Sequence, residues 1–121
     1  MFRLVVLVVL VAIQSSSAAS DEAYAMGPGA NSCAKFAKDL AIDPMVIEAT
    51  YFSWAQGYMS GMNSISDVIA ARTRDLQAKS TVDERGAIRA FCDAHPLKLY
   101  MEAVLTLYRS LPVRDVNPAV K

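Results

Sequence analysis

The chain is poor in the residues that most chemistry requires. Among 121 residues there is one histidine, His95, and two cysteines, Cys33 and Cys92. A nucleophilic thiolate–imidazole pair has only Cys92, His95 and the neighbouring Asp93 to draw on, and it cannot exist if Cys92 is in a disulfide. Metal ligation by the same three residues meets the same objection and lacks a second, spaced cluster. No glycine-rich loop opens a helix after a strand, so a nucleotide cofactor has no cradle. Charge of one sign is not in excess either, with 12 Lys and Arg against 12 Asp and Glu. That balance gives no electrostatic footprint for nucleic acid or for an acidic lipid surface. These absences leave catalysis, metal and cofactors without candidate residues and point to a protein that binds other proteins.

The longest apolar run, Leu4 to Ile13, is far short of the ~20 residues that span a bilayer. Preceded by Arg3 and followed by Gln14-Ser15-Ser16-Ser17-Ala18-Ala19, it has the layout of a secretory signal peptide, 1–19, cleaved after Ala19. The expected location is therefore the periplasm or the exterior, with no membrane segment in the mature form. Cleavage removes only Arg3 among the charged residues and leaves 11 basic against 12 acidic. In an oxidising compartment the two cysteines read as a Cys33–Cys92 disulfide. Closing a loop of about 60 residues is worth roughly 4 kcal/mol in the chain-entropy model, a large share for a small domain.

What the mature chain has in quantity is helical periodicity. Residues 20–31, with Gly27-Pro28-Gly29, show no apolar period and read as a flexible lead-in. Asn31 or Ser32 caps a first helix with Cys33, Phe36, Ala37 and Leu40 inward. Asp43-Pro44 restarts the chain into a second helix that runs to about Met62 or Asn63. Asn63-Ser64-Ile65-Ser66 is expected to break it before a third helix, Asp67 to about Lys79. Thr81-Val82-Asp83-Glu84 has the form of a capping box, opening a helix with Val82, Ile88, Phe91 and Cys92 inward. Pro96 is expected to end that helix and begin a last one, whose Leu97, Tyr100, Met101, Val104, Leu107, Tyr108 and Leu111 keep the three/four spacing. No strand alternation of useful length appears. The expected fold is all-α: four to five short helices around a central apolar helix, stapled by one disulfide, within 32–112, followed by a C-terminal tail, 113–121.

The central helix carries the only Trp and two of the five Gly residues. Trp54, Gly57, Tyr58 and Gly61 are the candidate helix contacts. Two glycines four apart cost about 1 kcal/mol each relative to Ala, which close approach of a second backbone, or of a ligand or partner segment, would offset. Ser53, Gln56, Ser60 and Asn63 form the only stripe expected to meet water, Met45 being placed on an inward face. The aromatic stripe of Tyr51, Trp54 and Tyr58 reads as core or as recognition surface, and Met side chains suit adaptable contacts. Tyr51, Met59 and Met62 are the candidate partner surface.

The spacings Cys33-x-x-Phe36, Trp54-x-x-Gly57-Tyr58-Met59-Ser60-Gly61-x-Asn63 and Phe91-Cys92-x-x-His95-Pro96-Leu97, followed by an amphipathic helix, resemble small exported helical proteins related to the HdeA/HdeB periplasmic acid-stress chaperones. That resemblance implies a disulfide-stapled helical fold and a non-enzymatic holdase for denatured clients, a homodimer at neutral pH that opens in acid. Gly57-Tyr58-Met59-x-Gly61 with the later Phe91-Cys92 also resembles the Tai-type immunity proteins, which implies instead the binding of a secreted effector. Composition bears on the first reading. Below about pH 3 the carboxylates are neutral and the basic charges repel, so a stapled domain loosens without losing its covalent frame.

Overall fold

The computed structural model describes residues 25–115, and the segments 1–24, which hold the expected signal peptide, and 116–121 lie outside it. Four helices account for most of the described chain: α1 (Cys33–Ile42), α2 (Pro44–Ala70), α3 (Thr81–Ala94) and α4 (Tyr100–Ser110). A 3-10 turn (Gly27–Ala30) precedes them, and two short strands, β1 (Arg72–Arg74) and β2 (Val113–Asp115), pair antiparallel with Thr73 opposite Arg114. The fold is all-α apart from this ribbon, and one disulfide, Cys33–Cys92, joins α1 to α3 with 4.8 Å between Cα atoms.

Local signals start the helices where short-range chemistry dictates. Ser32 accepts from the Lys35 N–H at 3.1 Å and opens α1. Asp43 accepts from the Val46 N–H at 3.2 Å and opens α2, with Pro44 in the first turn. At α3 the cap is Ser80, one residue before the expected Thr81, and it accepts from the Asp83 N–H at 3.1 Å. Glu84 therefore does not reach back to a cap; it turns inward, and Val82, expected inward, is exposed.

Two expectations about boundaries fail for physical reasons. The Asn63–Ser66 break does not occur, and α2 continues for 27 residues, about 40 Å, so no separate helix spans 67–79. The serine hydroxyls that compete with helix instead bond back to it, Ser60 to the Gln56 carbonyl at 2.8 Å and Ser64 to the Ser60 carbonyl at 3.1 Å. The helix ends at Ala71, a non-glycine residue in the left-handed region at φ 50°. Nor does Pro96 open α4. The Pro96 and Lys98 carbonyls accept from the Ala34 and Cys33 N–H groups at 2.9 and 2.7 Å, satisfying orphan donors of the first turn of α1. The chain turns over His95–Lys98, where the Lys98 N–H donates to the His95 carbonyl at 3.1 Å, and helix begins only after Leu99, whose N–H donates to Glu102 at 2.9 Å.

The core has an aromatic centre. Phe36, Tyr51 and Tyr100, from three helices, meet with ring centroids 4.7 to 4.9 Å apart, beside the buried disulfide. Phe52, Ala55 and Met59 of α2 and Val104, Leu107 and Tyr108 of α4 extend the core toward the ribbon. The lead-in is folded at its end rather than patternless: the Trp54 indole N–H donates to the Met26 carbonyl at 3.0 Å, and the 3-10 turn lies over the ring. Gly29 is the close-approach glycine of this fold, because a Cβ there would sit 2.0 Å from the indole.

Candidate protein-binding surface

α2 covers the core with one face and presents the other to solvent from end to end. Its outer surface is apolar and large at both ends, with Met45 80 % and Val46 54 % exposed at one, and Ile65 59 %, Val68 84 % and Ile69 79 % at the other. Between them lie the exposed Ser53, Gln56, Gly57, Ser60 and Gly61. The only charged residues in α2, Glu48 and Asp67, are half-buried, so the outer stripe carries no charge. Glu48 forms an ion pair across to Arg89 of α3. Large apolar side chains flanking a small, uncharged centre make a groove-like strip to which a second helix could approach closely.

Several expected site residues are placed differently. Gly57 and Gly61 touch no other helix: a Cβ at either would meet nothing within 4 Å. They are exposed because no described residue packs on this face of α2, so the expected helix contact is not made among the described residues. Tyr51 and Met59 are buried, at 3 % and 2 % exposure, and so are not partner surface. The Tyr51 hydroxyl accepts from the Asn31 amide and donates to Asp39, both at 2.8 Å. Burial, followed by the Asp39 carboxylate, pushes the Tyr51 phenol up to about 12. Met62 is half-buried. Trp54 does make contacts, stacking on Tyr58 at 5.1 Å and packing against the 3-10 turn. Met45, expected inward, is among the most exposed side chains.

The polar stripe also divides. Ser53, Gln56 and Ser60 meet solvent as expected, but Asn63 turns inward and organises the far end of the molecule. Its amide donates to the Arg74 carbonyl and accepts from the Arg74 N–H, each at 2.8 Å, and it accepts from the Tyr108 hydroxyl at 2.8 Å. Cys92 is committed to the disulfide, so His95 has no thiolate beside it; its Nδ1 lies 2.9 Å from the Phe91 carbonyl and its ring stacks on Phe91. Among the described residues no group of three His, Cys, Asp or Glu side chains is arranged to hold a metal ion, and no helix is long and apolar enough to cross a membrane.

Family models, curated proteins and solved structures yield no match to the chain. The surface therefore has to be read from its own chemistry. The residues that sequence periodicity missed are Val46, Ile65, Val68 and Ile69. Their signal is present in hindsight as the lack of any charge at positions 46, 49, 50, 53, 56, 57, 60, 61, 64, 65, 68 and 69, where a solvated helix face normally carries Lys or Glu.

Proposed function

We propose that the protein is an exported, non-enzymatic holdase of the acid-stress chaperone type, which binds denatured clients on the uncharged outer face of α2. The observation that carries this reading is the exposure of Val46, Ile65, Val68 and Ile69 along a single helix of 27 residues whose only charged side chains, Glu48 and Asp67, are half-buried. Apolar patches of this kind mark binding sites or aggregation hazards, and an exported protein must keep such a face covered when it has no client.

A second copy fits as the neutral-pH cover. The midpoint of Pro44–Ala70 is Gly57. In an antiparallel pair crossing at Gly57, Val46 of one copy meets Val68 of the other, with Ala49 and Ile65 flanking the contact, while the two Gly57 backbones approach where no side chain intervenes. Each large apolar end thus packs on the other copy's opposite end.

Acid supplies the release. Lys35 and then the Tyr51 hydroxyl, both hydrogen-bonded to Asp39, hold its carboxyl below the usual range; the Leu99 N–H and then Lys98 do the same for Glu102. A carboxyl depressed in the folded state contributes stability above its unfolded pKa and loses it as pH falls through the folded value. These contributions are therefore lost as pH falls through the depressed values, and the remaining Lys and Arg charges drive two copies apart. The buried disulfide keeps α1 and α3 together meanwhile.

The mature chain should suppress aggregation of an acid-denatured client at pH 2–3. Val68→Lys, which places a cation on the face and touches no core residue, should lose most of that protection while keeping the native helical signal at pH 7. Absence of protection by the unsubstituted chain would sink the holdase reading. At pH 7, Gly57→Cys should cross-link two copies under oxidation. A second reading, an immunity protein that binds a secreted effector, is favoured by the same face standing exposed on a single copy at neutral pH. It requires a neighbouring effector gene whose product binds at pH 7 and is blocked by Val68→Lys.

A further inference from the structure

Apart from the α2 face, a cavity of about 320 Å3 opens between the C-terminal half of α2, the ribbon and α4. Met62, Leu105 and Val113 supply apolar walls, and Arg72, Arg74 and Arg109 line it as well; among the described residues no acidic one does. The three guanidiniums differ in what already neutralises them. Arg72 pairs with Asp115 at 2.9 Å. Arg74 is half-buried and has no carboxylate partner among the described residues; one of its nitrogens, Nη1, donates to the Arg109 and Leu111 carbonyls at 3.1 and 2.8 Å, and its plane lies 5.9 Å from the Tyr108 ring centroid. The Arg109 side chain makes no hydrogen bond or ion pair among the described residues. Asp75, which follows β1, is paired with Arg114 at 3.0 Å. Among the described residues the site therefore joins an apolar floor to an excess of positive charge, with Arg74 held by carbonyls and Arg109 an exposed lining residue.

We propose that this cavity binds a small aliphatic monocarboxylate of medium chain length, such as a short fatty acid. The alkyl chain would lie against Met62, Leu105 and Val113, and the carboxylate would accept from Arg109 and the unused donors of Arg74. Guanidinium–carboxylate pairs of this kind are charge-assisted and directional, and a volume near 300 Å3 is at the small end of ligand sites. Such a ligand would supply the anion that Arg74 lacks among the described residues.

Octanoate is the probe, titrated into the full chain at pH 7 with amide chemical shifts read residue by residue. Octylamine and octanol, of the same length, serve as controls. Octanoate should bind saturably, moving the amides of Met62, Thr73 and Leu105, whereas octylamine should not. Arg109→Gln, which removes an exposed side chain that holds nothing in the fold, should weaken octanoate binding by about tenfold or more. Val113→Asp, at the exposed strand edge, should abolish it. Equal binding of octanoate and octylamine, or an unchanged affinity in Arg109→Gln, would overturn the proposal. So would tighter binding of a short peptide with an apolar, free C-terminus, which would make the site a peptide site instead.

Discussion

The two ends of α2 are fastened by different chemistry. At the N-terminal end, helices α1, α3 and α4 close around Phe36, Tyr51 and Tyr100, and Cys33–Cys92 makes the closure covalent. At the C-terminal end, the attachment is a three-residue ribbon, held by the Asn63 amide on the Arg74 backbone, by Arg74 on the carbonyls of Arg109 and Leu111, and by the Arg72–Asp115 and Arg114–Asp75 ion pairs. The first end also holds Asp39 and Glu102, whose carboxyls are held below the usual range and lose their contribution in acid, but it rests mainly on burial and a covalent bond, which do not respond to pH. The second depends in part on two carboxylates set among Arg72, Arg74, Arg109 and Arg114. Exposed ion pairs are worth at most about 1 kcal/mol each, so their loss alone would not free the ribbon. Repulsion among four guanidiniums with no anion left adds to it. Acid should therefore act unevenly along one helix.

Removing the staple should have the largest effect. Cys33→Ser with Cys92→Ser, or reduction, should lower stability by about 4 kcal/mol in urea unfolding and erase the difference between the ends. Next, Asn63→Ala should cost about 2–3 kcal/mol, because it leaves the Arg74 N–H and carbonyl and the Tyr108 hydroxyl without their partner. Its amide-exchange signature should be confined to residues 72–74 and 113–115. Gly29→Ala should cost about 2 kcal/mol by displacing the indole, read as a shift in Trp54 emission, with the ribbon untouched.

The smallest change expected is a gain. Glu84, at 3 % exposure, has an unpartnered Oε1, and burial pushes its carboxyl above the usual range despite Lys79. A carboxyl raised in the folded state is a penalty when ionised, and the penalty disappears as pH falls through the raised value. Glu84→Gln should therefore add about 1 kcal/mol at pH 7 and close to nothing at pH 3, which unfolding curves at the two pH values would check.

The stapled end was legible in the sequence and the ribbon end was not. Ser32, Asp43 and Pro44 announce helix starts through bonds that reach no further than three residues, and a chain with two cysteines has one intramolecular pairing to make. The period of residues 100–111 is long enough to survive a misplaced start. Three-residue strands offer no alternation to detect, and Ala71 in the left-handed region has no sequence signature. Asn63 and the serines after it carry break signals that tertiary partners and back-bonded hydroxyls override. Gly57 and Gly61 were readable as a place for close approach, but no described residue packs there, which is why the candidate surface moved from Tyr51 and Met59 to the opposite side of the same helix.

Amide exchange of the oxidised protein at pH 7 and pH 3, expressed as protection factors, compares the two ends most directly. The difference in fastening predicts that α1, α3 and the first half of α2 keep their protection at pH 3, while Arg74, Arg114 and the last turns of α2 lose theirs. Uniform loss along α2, or ribbon amides that outlast those of α3, would contradict it.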